Sequence, residues 1–284
     1  MKHWTLDDID WGRFDPNLVS VDIVPLVKSA AMVERNGDDY ALYLKSVFAD
    51  DPDFCAAAEN WAVEEVQHGD ALGRWAMLAD PSFDYAGCFR RYREGYTIDV
   101  KADASIRGSR SGELVARCIV ETGTSSYYTA LADASAEPVL VQVCRLIAAD
   151  EYRHFKMFYD HLRRYLERES LSHMQRLRIA LGRATESEDD ELAFAFHVSS
   201  EPPGSTYEHA RCVTGYMARA MGFYRFHHLD RSMGMIFKAV GLPPRGRLSS
   251  LAARAAFRLM QWRHARYVRV LQGQDSATQL ARAA

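Results

Sequence analysis

Two Glu-x-x-His pairs, Glu65 with His68 and Glu151 with His154, are the residues of this chain whose types and spacing most clearly suit chemistry. On a helix the i, i+3 spacing sets each carboxylate and imidazole on one face, one turn apart. A further Glu precedes each pair at nearly the same interval, Glu34 by 31 residues and Glu121 by 30. With 16 Glu and 10 His in 284 residues, composition alone gives about 0.6 Glu-x-x-His matches, so one pair carries little information and two in this order carry much more. Each pair also interrupts an apolar stripe: Phe54, Ala58, Trp61, Glu65, His68, Leu72, Trp75 in one segment, and Val143, Ile147, Glu151, His154, Phe158, His161, Tyr165 in the other. The stripes Ile23, Val27, Ala30, Glu34 and Leu114, Cys118, Glu121, Ser125, Tyr128 each add one inward carboxylate. A buried charge without a partner costs several kcal/mol or more, at roughly the scale of a whole domain's stability. No Lys or Arg on these stripes supplies a partner, whereas two divalent cations balance four carboxylates. A mixed set of carboxylate oxygens and imidazole nitrogens suits two iron ions, with manganese possible at one or both positions. One Glu from each of two helices and Glu-x-x-His from each of two others is the ligand pattern of carboxylate di-metal bundles.

The elements that must position these residues are helical, because apolar spacings of three and four recur along the chain and strand-like alternation is scarce. The pattern predicts helices from Pro25 toward Asn36-Gly37, from Asp38 to Ala49, from an Asp51 cap to about Ala79, from Glu113 to about Ala134, and from Glu137-Pro138 to about Arg168. Residues 83 to 112 read as mixed, and further helices are expected at 189–199, 206–240 and 248–272, with Pro202-Pro203-Gly204 and Pro243-Pro244 as punctuation. The expected architecture is all-α: a four-helix di-metal core over 1–170 and a helical extension over 171–284, packed together as one domain.

Composition narrows the function classes. With 35 basic and 38 acidic residues the net charge is −3, which argues against a general nucleic-acid partner. The start MKHWTLDDID has acids where a secretory leader needs bases, and no apolar run approaches membrane-span length; the expectation is a cytoplasmic protein. The five cysteines are widely spaced, with no C-x-x-C pair, so neither a disulfide framework nor a zinc–thiolate site is expected.

Glu64-Glu65-Val66-Gln67-His68-Gly69-Asp70 resembles the EENRHGD segment of soluble acyl-carrier-protein desaturases, and Ala148-Ala149-Asp150-Glu151-Tyr152-Arg153-His154 resembles their AADEKRH segment. The likeness covers about residues 4 to 168 and includes Glu121-Thr122-Gly123-Thr124, similar to that family's Glu-x-x-Thr. Val66 and Gln67 depart from the pattern, and the C-terminal half carries no matching motif. Other ferritin-like di-iron families fit less well: Leu72 stands where ribonucleotide reductase small subunits carry a radical tyrosine, and Ile147 where di-iron N-oxygenases carry an extra histidine. The resemblance implies a ferritin-like bundle with Glu34, Glu65, His68, Glu121, Glu151 and His154 as metal ligands, and an oxygen-dependent desaturase or hydroxylase. It would act on a small organic or carrier-bound acyl substrate with an external electron donor. Iron binding and oxidation without an organic substrate is the alternative. Thr124 is a candidate proton or hydrogen-bond donor. Asp150 is a candidate for orienting His68, Glu64 for orienting His154, and Trp4 either relays electrons or packs on the bundle.

From Pro243 onward the chain has eight Arg, no Lys and one acid, Asp275. Such a helix suits an acidic carrier protein, the acidic half of a second copy in a homodimer, or simple packing on the core; a membrane surface is not expected as its partner.

Overall fold

The computed structural model describes residues 3–186 and 190–283. Every regular element among them is helical. α1 (Val24–Arg35) and α2 (Gly37–Val47) precede α3 (Pro52–Ala79), whose start is capped by the Asp51 carboxylate accepting from the Phe54 amide. α5 (Arg110–Ala134) begins at Ser109, whose hydroxyl accepts from the Gly112 amide. α6 (Pro138–Leu166) is capped by Glu137, which accepts from the amides of Val139 and Leu140. These caps satisfy amides that the first helical turn leaves without partners.

Four elements differ from the sequence expectation. α4 (Tyr85–Gly95) fills part of the stretch read as mixed, started by Asp84 accepting from the Gly87 amide. α7 (His173–Thr185) begins with a capping box in which Ser172 and Gln175 satisfy each other's amides, a Ser-x-x-Gln signature that was legible. The segment 206–240 is two helices, α9 (His209–Phe223) and α10 (Phe226–Val240). Tyr224 and Arg225 between them are extended, and the imidazole of His228 accepts from the Arg225 amide. The last helix, α11 (Arg247–Ala283), runs past 272. α8 (Asp190–Ser200) matches the expected 189–199 helix, except that 189 lies outside the described residues. No helix among the described residues is long and apolar enough to cross a membrane.

α5 packs along α6, α1 along α3, and α3 also meets α6, so the four helices bearing the six candidate residues form one connected set, α1 to α3 to α6 to α5. The apolar core divides at their level. One slab contains Leu26, Leu72, Trp75, Leu131, Val143 and Ile147; the other contains Phe54, Trp61, Leu114, Cys118, Phe158 and Leu162. Burying each large side chain contributes about 1.5–3 kcal/mol, and two such slabs offset a layer of carboxylates between them. His161 is only half-buried; Leu162 occupies the inward position instead. The remaining helices wrap this core, α8 and α9 against α1 and α10 against α5, with α11 over α9 and α10. On α11 the guanidinium-bearing residues Arg254, Arg258, Arg266 and Arg269 are exposed, and so are Leu251 and Trp262.

Candidate metal centre

Two glycines set how closely the helices approach. A Cβ on Gly69 would lie 2.5 Å from the Arg35 backbone nitrogen, and one on Gly37 would lie 2.5 Å from Glu65 Cβ. Contacts that short are not tolerated, so Gly69 lets the end of α1 cross α3 beside His68 and Gly37 lets α2 start against Glu65. Arg35 Nε then meets Asp70 Oδ1 at 3.0 Å, tying the crossing.

The structure brings all six candidates together in two quartets, Glu34, Glu65, His68, Glu151 and Glu65, Glu121, Glu151, His154, each with its ligand-capable atoms within 4.8 Å of one another. Glu65 and Glu151 belong to both; Glu34 and Glu121 belong to one each. His68 Nδ1 lies 3.4 Å from Glu34 Oε2 and 3.2 Å from Glu151 Oε1. His154 Nδ1 lies 3.0 Å from Glu65 Oε1 and 3.6 Å from Glu121 Oε2. All six residues are buried.

The outward atoms of the cluster are satisfied. His68 Nε2 donates to Asp150 Oδ2 at 3.1 Å, and His154 Nε2 donates to Glu64 Oε2 at 2.8 Å. These bonds place the proton of each neutral imidazole on Nε2 and leave the Nδ1 lone pair facing inward. Tyr128 donates to Glu34 Oε1, and Thr124 donates to Glu151 Oε2. The inward atoms are not satisfied: Glu34 Oε2, Glu65 Oε1, His68 Nδ1, Glu121 Oε1, Glu151 Oε1 and His154 Nδ1 are buried without a hydrogen bond. Buried polar atoms are ordinarily paired, and here each of six residues leaves one acceptor-capable atom pointing at the same small space. That set of carboxylate and imidazole donors could hold metal ions.

Electrostatics describe the same frustration. Burial pushes the Glu65 carboxyl well above its ordinary value, with the negative charges of Glu151 and Glu34 adding to it. Burial and the Glu151 charge push Glu121 up to about 8. Burial works against ionised Glu151 too, but the His68 and His154 imidazoles outweigh it and hold that carboxyl below its usual range. Burial opposes protonation of both histidines, and the surrounding carboxylates outweigh it and raise both well above the ordinary imidazole value. Without cations, therefore, the cluster retains protons to limit its own charge.

Around the cluster lies a second set of contacts. Trp4 stacks on His68, ring centroids 6.0 Å apart and planes within 5°, and its Nε1 donates to Asp150 Oδ2 at 2.6 Å. His3 and Arg153 also meet Asp150, and Arg153 reaches Glu64. Burial works against the Asp150 charge, but the His68, Arg153 and His3 donors overcome it and hold the carboxyl far below its usual range. The N-terminal segment is pinned in place by Gln142 on α6, which bonds the backbone of both Asp8 and Asp10. Tyr128, His3 and Arg153 were not singled out from sequence as site residues. Tyr128 had a signal, since it lies seven residues after Glu121 on the same stripe; His3 had none, because its position depends on the fold of an irregular segment. The chain matches no family model and no curated protein.

Proposed function

We propose that the chain is a ferritin-like, di-iron, oxygen-dependent oxidase or oxygenase of a small organic substrate. The observation that carries this reading is the set of six unsatisfied inward atoms on four helices, arranged as two quartets that share Glu65 and Glu151. Its sequence counterpart is the resemblance of the Glu64–Asp70 and Ala148–His154 segments to the acyl-carrier-protein desaturases.

In this reading Glu34, Glu65, His68, Glu121, Glu151 and His154 would together hold two irons. When bound in the ferrous state, such irons would supply the electrons for dioxygen reduction, with an external donor restoring them. The chain's own residues do the rest. Asp150 and Glu64 fix both imidazoles with Nδ1 inward. Thr124 holds one oxygen of Glu151 and carries a hydroxyl proton at the rim of the cluster. Trp4, stacked on His68 and bonded to Asp150, gives the N-terminal segment a direct path for electrons to the His68 side. Trp61, Leu72 and Ile147, all buried, keep bulk water from the layer.

The test is metal analysis after anaerobic ferrous reconstitution, followed by the absorbance change on adding oxygen. About two irons per chain and a rapid, stoichiometric change that needs Glu151 support the proposal. Oxidation that continues far beyond two irons per chain, forming a mineral product, would assign the chain to iron storage instead.

A further inference from the structure

A cleft of about 280 Å³ opens between α2 and α5. It shares walls with the metal centre: α2 starts against Glu65 at Gly37, and on α5 the lining residues Arg117 and Val120 lie one turn and one residue before Glu121. Tyr40, Tyr43 and Tyr96 give it aromatic sides.

Arg117 is a cation of this cleft that is only partly engaged. Its Nε donates to Glu113 Oε1 at 3.2 Å, and its guanidinium lies 4.8 Å from the centre of the Tyr40 ring. Among the described residues no acceptor meets Nη1 or Nη2, although only 12% of the side chain is exposed. Glu113 is already shared, accepting from Tyr43 at 2.9 Å and Ser105 at 2.7 Å as well. The other strong ion pair of the cleft is closed on itself, with Arg107 gripping both oxygens of Glu186 at 2.6 and 2.5 Å. A guanidinium that lines a cleft with free terminal N–H groups is matched by a planar carboxylate, which accepts two parallel bonds.

We propose that this cleft is the substrate site of the metal centre and that it takes compact organic acids, with the carboxylate on the Nη edge of Arg117 and the body between the tyrosines. The proposal rests on the di-metal reading for the word substrate, but the binding claim stands on Arg117 and the cleft alone. The volume lies just under the range typical of drug-sized pockets, which selects a free small acid over a long carrier-bound acyl chain. The three tyrosines favour a planar or aromatic body.

The test uses benzoate and its uncharged isostere benzamide, titrated calorimetrically into the metal-reconstituted protein, with metal content measured on the same samples. Benzoate is expected to bind at least tenfold more tightly than benzamide. Arg117→Gln is expected to abolish that preference while leaving metal content unchanged. Ala116→Leu, which narrows the cleft without touching a charge, is expected to weaken both ligands. Equal affinity of the wild-type protein for the two probes, no binding of either at millimolar concentration, or a benzoate preference that survives Arg117→Gln would each overturn the proposal. The wild-type comparison decides even where Arg117→Gln fails to fold. A benzoate preference in protein that binds no metal would overturn the metal centre and leave the cleft; two metals with no benzoate preference would do the reverse.

Discussion

Glu137 and Glu121 are both almost completely buried glutamates, one capping the start of α6 and the other in the middle of α5, and they are treated in opposite ways. Glu137 accepts from the Val139 and Leu140 amides, from Trp75 Nε1 at 2.7 Å and from the Asp15 amide at 3.2 Å. Its charge is dispersed over donors that the protein supplies, and it serves as the cap of α6. Glu121 faces Glu65, Glu151 and His154, with one oxygen meeting no donor at all. Burial of a carboxylate is thus not by itself a sign of function; what distinguishes the centre is that the fold withholds donors from one oxygen of each of four carboxylates at once while packing two apolar slabs around them.

The contrast is most easily broken at the candidate ligands. Glu151→Ala and His68→Ala are each expected to lower metal affinity at least 100-fold and to remove the stabilisation that bound metal confers, read as loss of the metal-dependent rise in Tm. Glu137→Ala is the opposite case: it is expected to cost about 3 kcal/mol in urea unfolding, from a lost cap and orphaned Trp75 and amide donors, with the same cost whether or not metal is bound. An unchanged metal stoichiometry in that variant completes the contrast.

Glu121→Gln sharpens it by changing sign. Without metal, at pH 8, the variant is expected to be more stable than wild type by about 2 kcal/mol, because it removes a buried charge that its neighbours repel; with metal it is expected to be less stable. Equal chelator-treated stabilities would show that the cluster carries no electrostatic strain.

The smallest effect belongs to a structural ion pair elsewhere. Lys28 Nζ meets Asp80 Oδ2 at 2.6 Å, and this bond, with help from Ser82, lowers the Asp80 carboxyl from 3.8 to about 2. A carboxyl depressed in the folded state adds stability above its unfolded value, and that contribution is lost as the pH falls from about 4 toward 2. Asp80 is a third exposed, so Asp80→Asn is expected to cost only about 1 kcal/mol at pH 7, with the difference from wild type shrinking through that acid window and indifferent to metal.

The stripes and the repeated Glu-x-x-His made the ligand candidates and their four helices legible, because inward positions on a helix follow from spacing alone. Asp150 and Glu64 were legible for the same reason, each adjacent to a ligand on its own helix. Trp4 was visible as a candidate but not its stack on His68, which depends on an irregular N-terminal segment held by Gln142. The break at Tyr224-Arg225 has only a weak sequence signal, because Gly222 lies inside α9 and no Pro follows it; an imidazole three residues on from Arg225 supplies the cap. The role of Arg117 was hidden for a different reason: its charge is ordinary in sequence, and only the fold reveals that Glu113 engages Nε while the terminal nitrogens remain open.

The central claim is that the inward atoms of Glu34, Glu65, His68, Glu121, Glu151 and His154 are a binding site for two cations. Anaerobic titration of chelator-treated protein with ferrous ion, with bound metal and Tm measured at each point, tests it most directly. The account predicts saturation at about two ions per chain with a rise in Tm that ends at the same ratio; metal that does not exceed background, with Tm flat throughout, would contradict it.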